Sequence, residues 1–174
     1  WRHLLTTPGG ATLSCASNPL NASAGQASFS GCQVDLAGDY TLTASATDLY
    51  DSVSSVFTIT AGLPTVSVVA TDTSATEAGL TTGTYTFTRT GDTAAALTVN
   101  YAVTGTATAD SDYVALGTSV TLPAGASTTT QTLTPLDDAL PESDETVILT
   151  LVSGTGYTLG SPASATVTIL SDDL

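Results

Sequence analysis

The chain has no lysine and no methionine, one tryptophan, one histidine and two cysteines among its 174 residues. Its only basic side chains are Arg2 and Arg89, set against 16 carboxylates, and the formal net charge is -14. Each shortage excludes something. With so few cations nothing can neutralise phosphates, so nucleic acid is excluded as a partner, and an anionic membrane surface would repel the chain. A Ser/His/Asp relay needs a positioned histidine, and the only one, His3, lies in a terminal segment. No apolar run approaches the ~20 residues that cross a bilayer. "WRHLLTTPGG" lacks the apolar core of a signal peptide. No glycine-rich phosphate loop leads from a strand into a helix. Paired carboxylates can hydrolyse glycosides, but here they fall in crowded loops. The expectation is a non-enzymatic protein with no nucleic-acid partner and no membrane insertion.

What is present is apolar and β-branched. Charged residues are only 10% of the chain and hydrophobic ones 41%, so the acidity comes from missing cations and the chain can fold. Threonine is roughly a fifth of the sequence, with Val, Ala, Ser and Gly close behind, and β-branched residues favour pleated strands. This composition predicts an all-β, extracellular or cell-surface protein.

Gly62 and Pro64 in "TAGLPTVSV" punctuate the chain, which predicts two tandem immunoglobulin-like β-sandwich units, residues 1–61 and 62–174. In the second, alternation recurs at 65–70, 84–90, 97–103, 119–123, 128–136, 145–152 and 164–170, the seven short strands of an immunoglobulin-like sandwich. The first has alternation only at 11–15, 26–30, 40–46 and 55–60. Four strands are thin for a sandwich that must close its own core.

Cys15 and Cys32 lie on or beside two of those strands. An exported acidic β-protein favours a disulfide between them; two buried thiols are the alternative. The "NAS" sequon at 21–23 matters only in a host that glycosylates asparagine. "TTPGGATLSC", "GQASFSGCQVDLAGDYTLTASA" and "SSVFTIT" resemble the C-terminal part of bacterial immunoglobulin-like repeats of surface proteins and adhesins. The resemblance covers nearly all of residues 7–60 and lacks the first strands of such a repeat. Either the chain is an excerpt that begins mid-domain, or another copy completes the fold by strand addition. In the second case Trp1, Leu4 and Leu5 are candidate intersubunit contacts; in the first they are the remnant of a cut strand.

With successive strands antiparallel, alternate loops of the second unit share one pole. Glu77 falls in the first such loop, Asp110 and Asp112 in the next, Asp137, Asp138, Glu142, Asp144 and Glu145 in the third, and Asp172 and Asp173 after the last strand. Two like charges ~4 Å apart repel by ~1 kcal/mol in water and ~4 near a surface. Such a pole calls for a cation that the chain does not supply. Ca2+ takes six to eight oxygen ligands in irregular geometry, whereas Mg2+ wants a stricter octahedron and zinc wants His or Cys.

"TEAG", "ADSDYV", "DDALPESDETVILTL" and "VTILSDD" make residues 64–174 resemble a Calx-beta domain, the module of sodium–calcium exchangers and of many bacterial and sponge surface proteins. The resemblance implies Ca2+ ligands at Glu77, Asp112, Asp137, Asp138, Glu142, Glu145, Asp172 and Asp173, with Asp144 left in solvent. Ser171 stands where the family often has a third consecutive aspartate, which implies one ligand fewer. The expected function is a structural or adhesive module of a multidomain surface or matrix protein. Ca2+ at the pole would stiffen the junction between neighbouring domains. The alternative is a self-assembling filament or sheath subunit whose first unit is completed by another copy.

Overall fold

The structure is a computed structural model that describes residues 2–6, 10–17 and 21–173, with side chains from residue 10 onward. Among the described residues every regular element is a strand. The chain divides into two compact units, Trp1–Ala61 and Gly62–Leu174.

The first unit holds β1 (Arg2–Thr6), β2 (Leu13–Ser14), β3 (Gln33–Val34), β4 (Gly38–Ser45), β5 (Ser52–Val53) and β6 (Phe57–Ile59). β4 is the spine: it pairs antiparallel with β1, β5 and β6. β2 and β3 form a separate two-stranded ladder, and Cys15 and Cys32, just beyond it, form a disulfide. Tyr40 is buried on β4; its hydroxyl donates to the Leu36 carbonyl (2.7 Å), and its ring lies 6.1 Å from that of Phe57.

Two expectations are corrected here. "QASFS" (26–30) alternates but is not a strand, and only an isolated Ser23–Gln26 bridge forms nearby. Gly25 and Gly31 flank it with φ of 78° and 59°, and these left-handed residues turn the chain off any ladder. Residues 2–6, where no strand was expected, form one. Leu4 pairs with Thr43 and Leu5 with Leu42, so the backbone of this segment is engaged within its own unit. Trp1 lies outside the described residues.

The second unit contains β7 (Thr65–Asp72), β8 (Ser74–Thr76), β9 (Gly83–Thr90), β10 (Leu97–Gly105), β11 (Ser119–Leu122), β12 (Thr128–Leu133), β13 (Glu145–Leu151), β14 (Thr158–Leu159) and β15 (Ser164–Leu170). They make one sheet of order β11-β10-β13-β15-β8 and another of order β12-β9-β7-β14. All seven expected strands are present. β8 and β14 are additional, and both pair in parallel with their neighbours.

Strand alternation builds the core. On β9 Tyr85 and Phe87 point inward and are fully buried, while Thr84, Thr86 and Thr88 face out. Val66, Val68, Val99, Leu122, Leu133, Val147, Leu149 and Val167 fill the same interior at 0% exposure. Each contributes about 1.5–3 kcal/mol by leaving water. The Tyr85 hydroxyl donates across the sandwich to the Val147 carbonyl (2.7 Å), so the polar tip of this ring is satisfied inside the core.

Arg89, the unit's one basic residue, is also buried. Its guanidinium donates to the carbonyls of Ala95 (2.8 Å), Thr93 (3.3 Å), Pro123 (3.2 Å) and Ala126 (2.6 Å). These loops lie at the far end of β9 from the residue 77 turn. The only cation of the unit is thus spent on loop carbonyls, away from the carboxylates.

Candidate metal centre

β7 ends in a register shift between Ala70 and Asp72, and the chain then crosses to the other sheet as β8 beside β15. The crossing delivers Glu77 to the C-terminal end of β15, where its backbone N–H donates to the Leu170 carbonyl (3.1 Å). Glu77 is 6% exposed.

The loop after β10 is folded by its own carboxylates. The Thr108 N–H donates to Asp112 Oδ2 (2.5 Å), and the Asp112 N–H donates back to the Thr108 carbonyl (2.9 Å). Asp110 takes a left-handed φ of 63°, and its Oδ1 accepts from the Ala115 N–H (3.1 Å). It is a turn former, whereas Asp112 is 6% exposed and turned inward.

The chain leaves β12 earlier than alternation suggests, at Leu133 instead of Leu136. Residues 134–136 run along the Asp112 loop instead: Val114 N–H donates to the Thr134 carbonyl and Leu136 N–H to the Asp112 carbonyl, both at 2.9 Å. Downstream, the Glu142 N–H donates to the Asp173 carbonyl (3.3 Å), tying the long acidic loop to the end of the chain's last strand. Glu145 opens β13, opposite Ile169 of β15.

These loop contacts gather the carboxylates into two groups, Glu77, Asp172 and Asp173, and Asp112, Glu142 and Glu145. Within each group one oxygen per residue lies within 4.8 Å of the others. Six of the eight expected ligands are therefore brought together. Asp137 and Asp138 are in neither group and are exposed, and Asp138 Oδ1 accepts the Leu140 N–H (2.7 Å) in a local turn. Asp144 is exposed and also outside both groups.

The groups feel one another. Burial raises the Glu77 carboxyl above its ordinary value; the Ser171 hydroxyl opposes this, and the charges of Glu142, Asp138 and Asp172 add to it. Glu142 is raised by burial and then by Asp112, Asp138 and Asp173. Glu145 is pushed up to about 7, first by burial, then by its contact with the Asp112 side chain and by the charges of Asp112, Glu142 and Glu77. Asp112 moves the other way: burial alone would raise it, but hydrogen bonds from the Thr108 N–H and the Glu145 and Ser111 side chains hold it low.

Glu145 Oε2 is buried with no hydrogen-bond donor in reach, and the side chain it meets is another carboxylate. Two facing carboxylates repel when both are ionised, and a proton or a cation between them relieves that repulsion. The donor set is all oxygen, held on irregular loops and partly buried, with neither His nor Cys. That chemistry fits a hard cation such as Ca2+.

Residues 62–173 match the model of the Calx-beta domain. The chain belongs to the Calx-beta family. The Calx-beta unit resembles the crystal structure of the apo-form Calx CBD1 domain with a TM-score of 0.54 and 26% identity, covering 64% of this chain and 100% of that one. It also resembles the calcium binding domain CBD12 of CALX1.1 with a TM-score of 0.52 and 27% identity, covering 61% of this chain and 44% of that one. A third likeness, to CBD12 from CALX1.2, has a TM-score of 0.53 at 24% identity, covers 63% of this chain and 46% of that one, and is of fold alone. No curated protein matches the chain.

Ser171, which the sequence did not place among the ligands, touches Glu77 through its side chain, as Ser111 touches Asp112. The only signal was its position in "SDD".

Proposed function

We propose that the Calx-beta unit is a non-enzymatic calcium-binding module. Glu77, Asp172 and Asp173 would hold one cation position and Asp112, Glu142 and Glu145 an adjoining one. Bound Ca2+ would neutralise carboxylates that Arg89, the unit's one basic residue, does not reach. The observation that carries this reading is the partly buried Asp112–Glu145 contact, carboxyl to carboxyl, in which Glu145 Oε2 has no hydrogen-bond partner among the described residues.

The chain is read further as part of a surface or matrix protein outside the cell, in which residues 1–61 belong to a bacterial immunoglobulin-like repeat. The Cys15–Cys32 disulfide supports an oxidising compartment. Among the described residues no helix is long and apolar enough to cross a membrane. β15 runs into the acidic end, so a module following it would be entered through Asp172 and Asp173. Ca2+ held there would stiffen that junction.

Scanning calorimetry of the 174-residue chain in EDTA and in Ca2+ tests this. A ligand that binds only the folded state at about 100 times its Kd stabilises by about 2.7 kcal/mol. For a unit of this size that raises the melting temperature by roughly 10 °C. Mg2+ at equal concentration is expected to do less. An unchanged melting temperature in Ca2+ would sink the proposal.

A further inference from the structure

We propose that the outer edge of β12 is a self-association surface, on which a second copy of this chain pairs antiparallel, β12 to β12, about a two-fold axis at Thr130. β12 is the end strand of its sheet. The Arg89 N–H donates to the Ser127 carbonyl (2.7 Å), so Ser127 and Arg89 are a hydrogen-bonded pair. Hydrogen-bonded and non-bonded pairs alternate along an antiparallel ladder, and the register continues as Thr128–Thr88 to Leu133–Gly83. Thr129, Gln131 and Leu133 therefore bond β9, while Thr128, Thr130 and Thr132 turn their N–H and C=O groups outward. Among the described residues only the Thr132 carbonyl of those six groups has a partner, the Gln131 amide (3.3 Å).

The other strands that end a sheet in this unit are blunted. β11 has four residues and runs into Pro123, β8 has three, and β14 has two and is soon followed by Pro162. β12 has six, "TTTQTL", with no charge, no proline and no register shift against β9. Folded proteins guard long edges with charges, prolines or bulges, because unpaired backbone groups recruit another strand. This one is unguarded.

Charge selects the occupant's direction. β12 runs toward Asp137 and the carboxylate end of the unit. Antiparallel pairing sets the two acidic ends at opposite ends of a six-residue strand, about 20 Å apart, well beyond a screening length of ~8 Å. Parallel pairing would bring two highly acidic ends together. About the two-fold axis Thr128 faces Thr132 of the other copy and Thr130 faces its own counterpart, so every outward pair is Thr on Thr, a favourable cross-strand match.

Sedimentation equilibrium of the whole chain up to about 1 mM protein, in Ca2+ and in EDTA, tests the proposal. The expected result is a reversible dimer in both buffers. Thr130→Pro removes an N–H that faces solvent in the monomer, which an edge strand tolerates, and costs the dimer two hydrogen bonds. Association should weaken at least about tenfold, or ~1.4 kcal/mol. Thr130→Lys sets two like charges face to face at the axis and should weaken it similarly, although it lowers the net negative charge. Thr166→Lys makes the same charge change on the exposed face of β15 and should leave the dimer intact. Calorimetry confirms that each variant is folded. A monomer throughout, a dimer that survives both Thr130 changes, or one that needs Ca2+ overturns the proposal.

Discussion

Asp112 and Glu145 meet carboxylate to carboxylate in the partly buried floor of the acidic end, and their titrations are driven apart. Asp112 is held ionised by the Thr108 N–H while Glu145 is pushed up to about 7. Without a metal, Glu145 is thus the place where the cluster stores a proton at neutral pH. The same position would exchange that proton for a cation.

The sign of the pH dependence follows. The folded chain holds a proton on Glu145 up to about 7, whereas an unfolded glutamate releases it near 4.5. Between those values the folded state binds more protons, so in EDTA stability is full below about 4.5 and is lost as pH rises toward and past 7. Asp112, shifted down, acts only below its ordinary 3.8, outside this window. Thermal unfolding in EDTA from pH 4.5 to 8 should show the decline, and Glu145→Gln should flatten it. In Ca2+ the slope should reverse, because the ion competes with the proton. A decline of equal steepness in Glu145→Gln would refute this assignment.

Glu77 offers a reversal of sign between two buffers. It is buried at 6% exposure and repelled by Glu142, Asp138 and Asp172. Glu77→Gln removes that repulsion, so in EDTA the variant should be more stable than the parent by ~1 kcal/mol, a rise of roughly 4 °C. In saturating Ca2+ it should be less stable than the parent, having lost a ligand. A variant destabilised in both buffers would mean that Glu77 serves packing alone.

Much of this site was legible because a strand has a period of two. Alternation located β9, β10, β13 and β15, and strand parity then put Glu77, Asp112, Glu145 and Asp172 at one end. What stayed hidden was carried by backbone contacts between loops. The Leu136–Asp112 bond sets the long acidic loop beside Asp112, and the Glu142–Asp173 bond ties one carboxylate group to the other, yet amide contacts leave no mark on side-chain identity. Nothing in the spacing of "LDDALPESDE" separates the exposed Asp137 and Asp138 from Glu142. β8 was missed because "TDTSAT" is rich in turn formers and its three residues pair in parallel with a distant strand. In the first unit β2 falls within the expected 11–15, but β3 and β5 have two residues each, too short for any period to show.

The first unit should depend on its covalent link more than the second does. β2 and β3 pair through only two residues each. They share an open apolar hollow of about 540 Å3 with Leu42, Phe57 and Ile59. The Cys15–Cys32 bond spans a separation of 17 residues, a contribution of about 3 kcal/mol if it acts on the unfolded chain. Reduction should therefore lower the melting of residues 1–61, read by exchange protection at Tyr40 and Leu42, without moving that of the Calx-beta unit. Equal shifts in both units would contradict this.

Gly105 tests whether the metal centre depends on the sandwich beneath it. It ends β10 opposite Val147 with φ of 136°, and a Cβ there would lie 2.0 Å from the Thr146 carbonyl oxygen. That oxygen also accepts the N–H groups of Thr106 and Ala107 (3.0 and 3.2 Å), and Thr146 adjoins Glu145. Gly105→Ala must push β13 away from the Asp112 loop, separating the two facing carboxylates. Gly125 is a matched control, with φ of 80° and nothing within 4 Å of an added Cβ. Gly125→Ala should cost about 1–2 kcal/mol, the penalty of a left-handed L-residue, and leave Ca2+ affinity unchanged. Gly105→Ala should cost about 3 kcal/mol or more and weaken Ca2+ binding by calorimetric titration. Unchanged affinity in a folded Gly105→Ala chain would show that the loop carboxylates hold their places without this ladder.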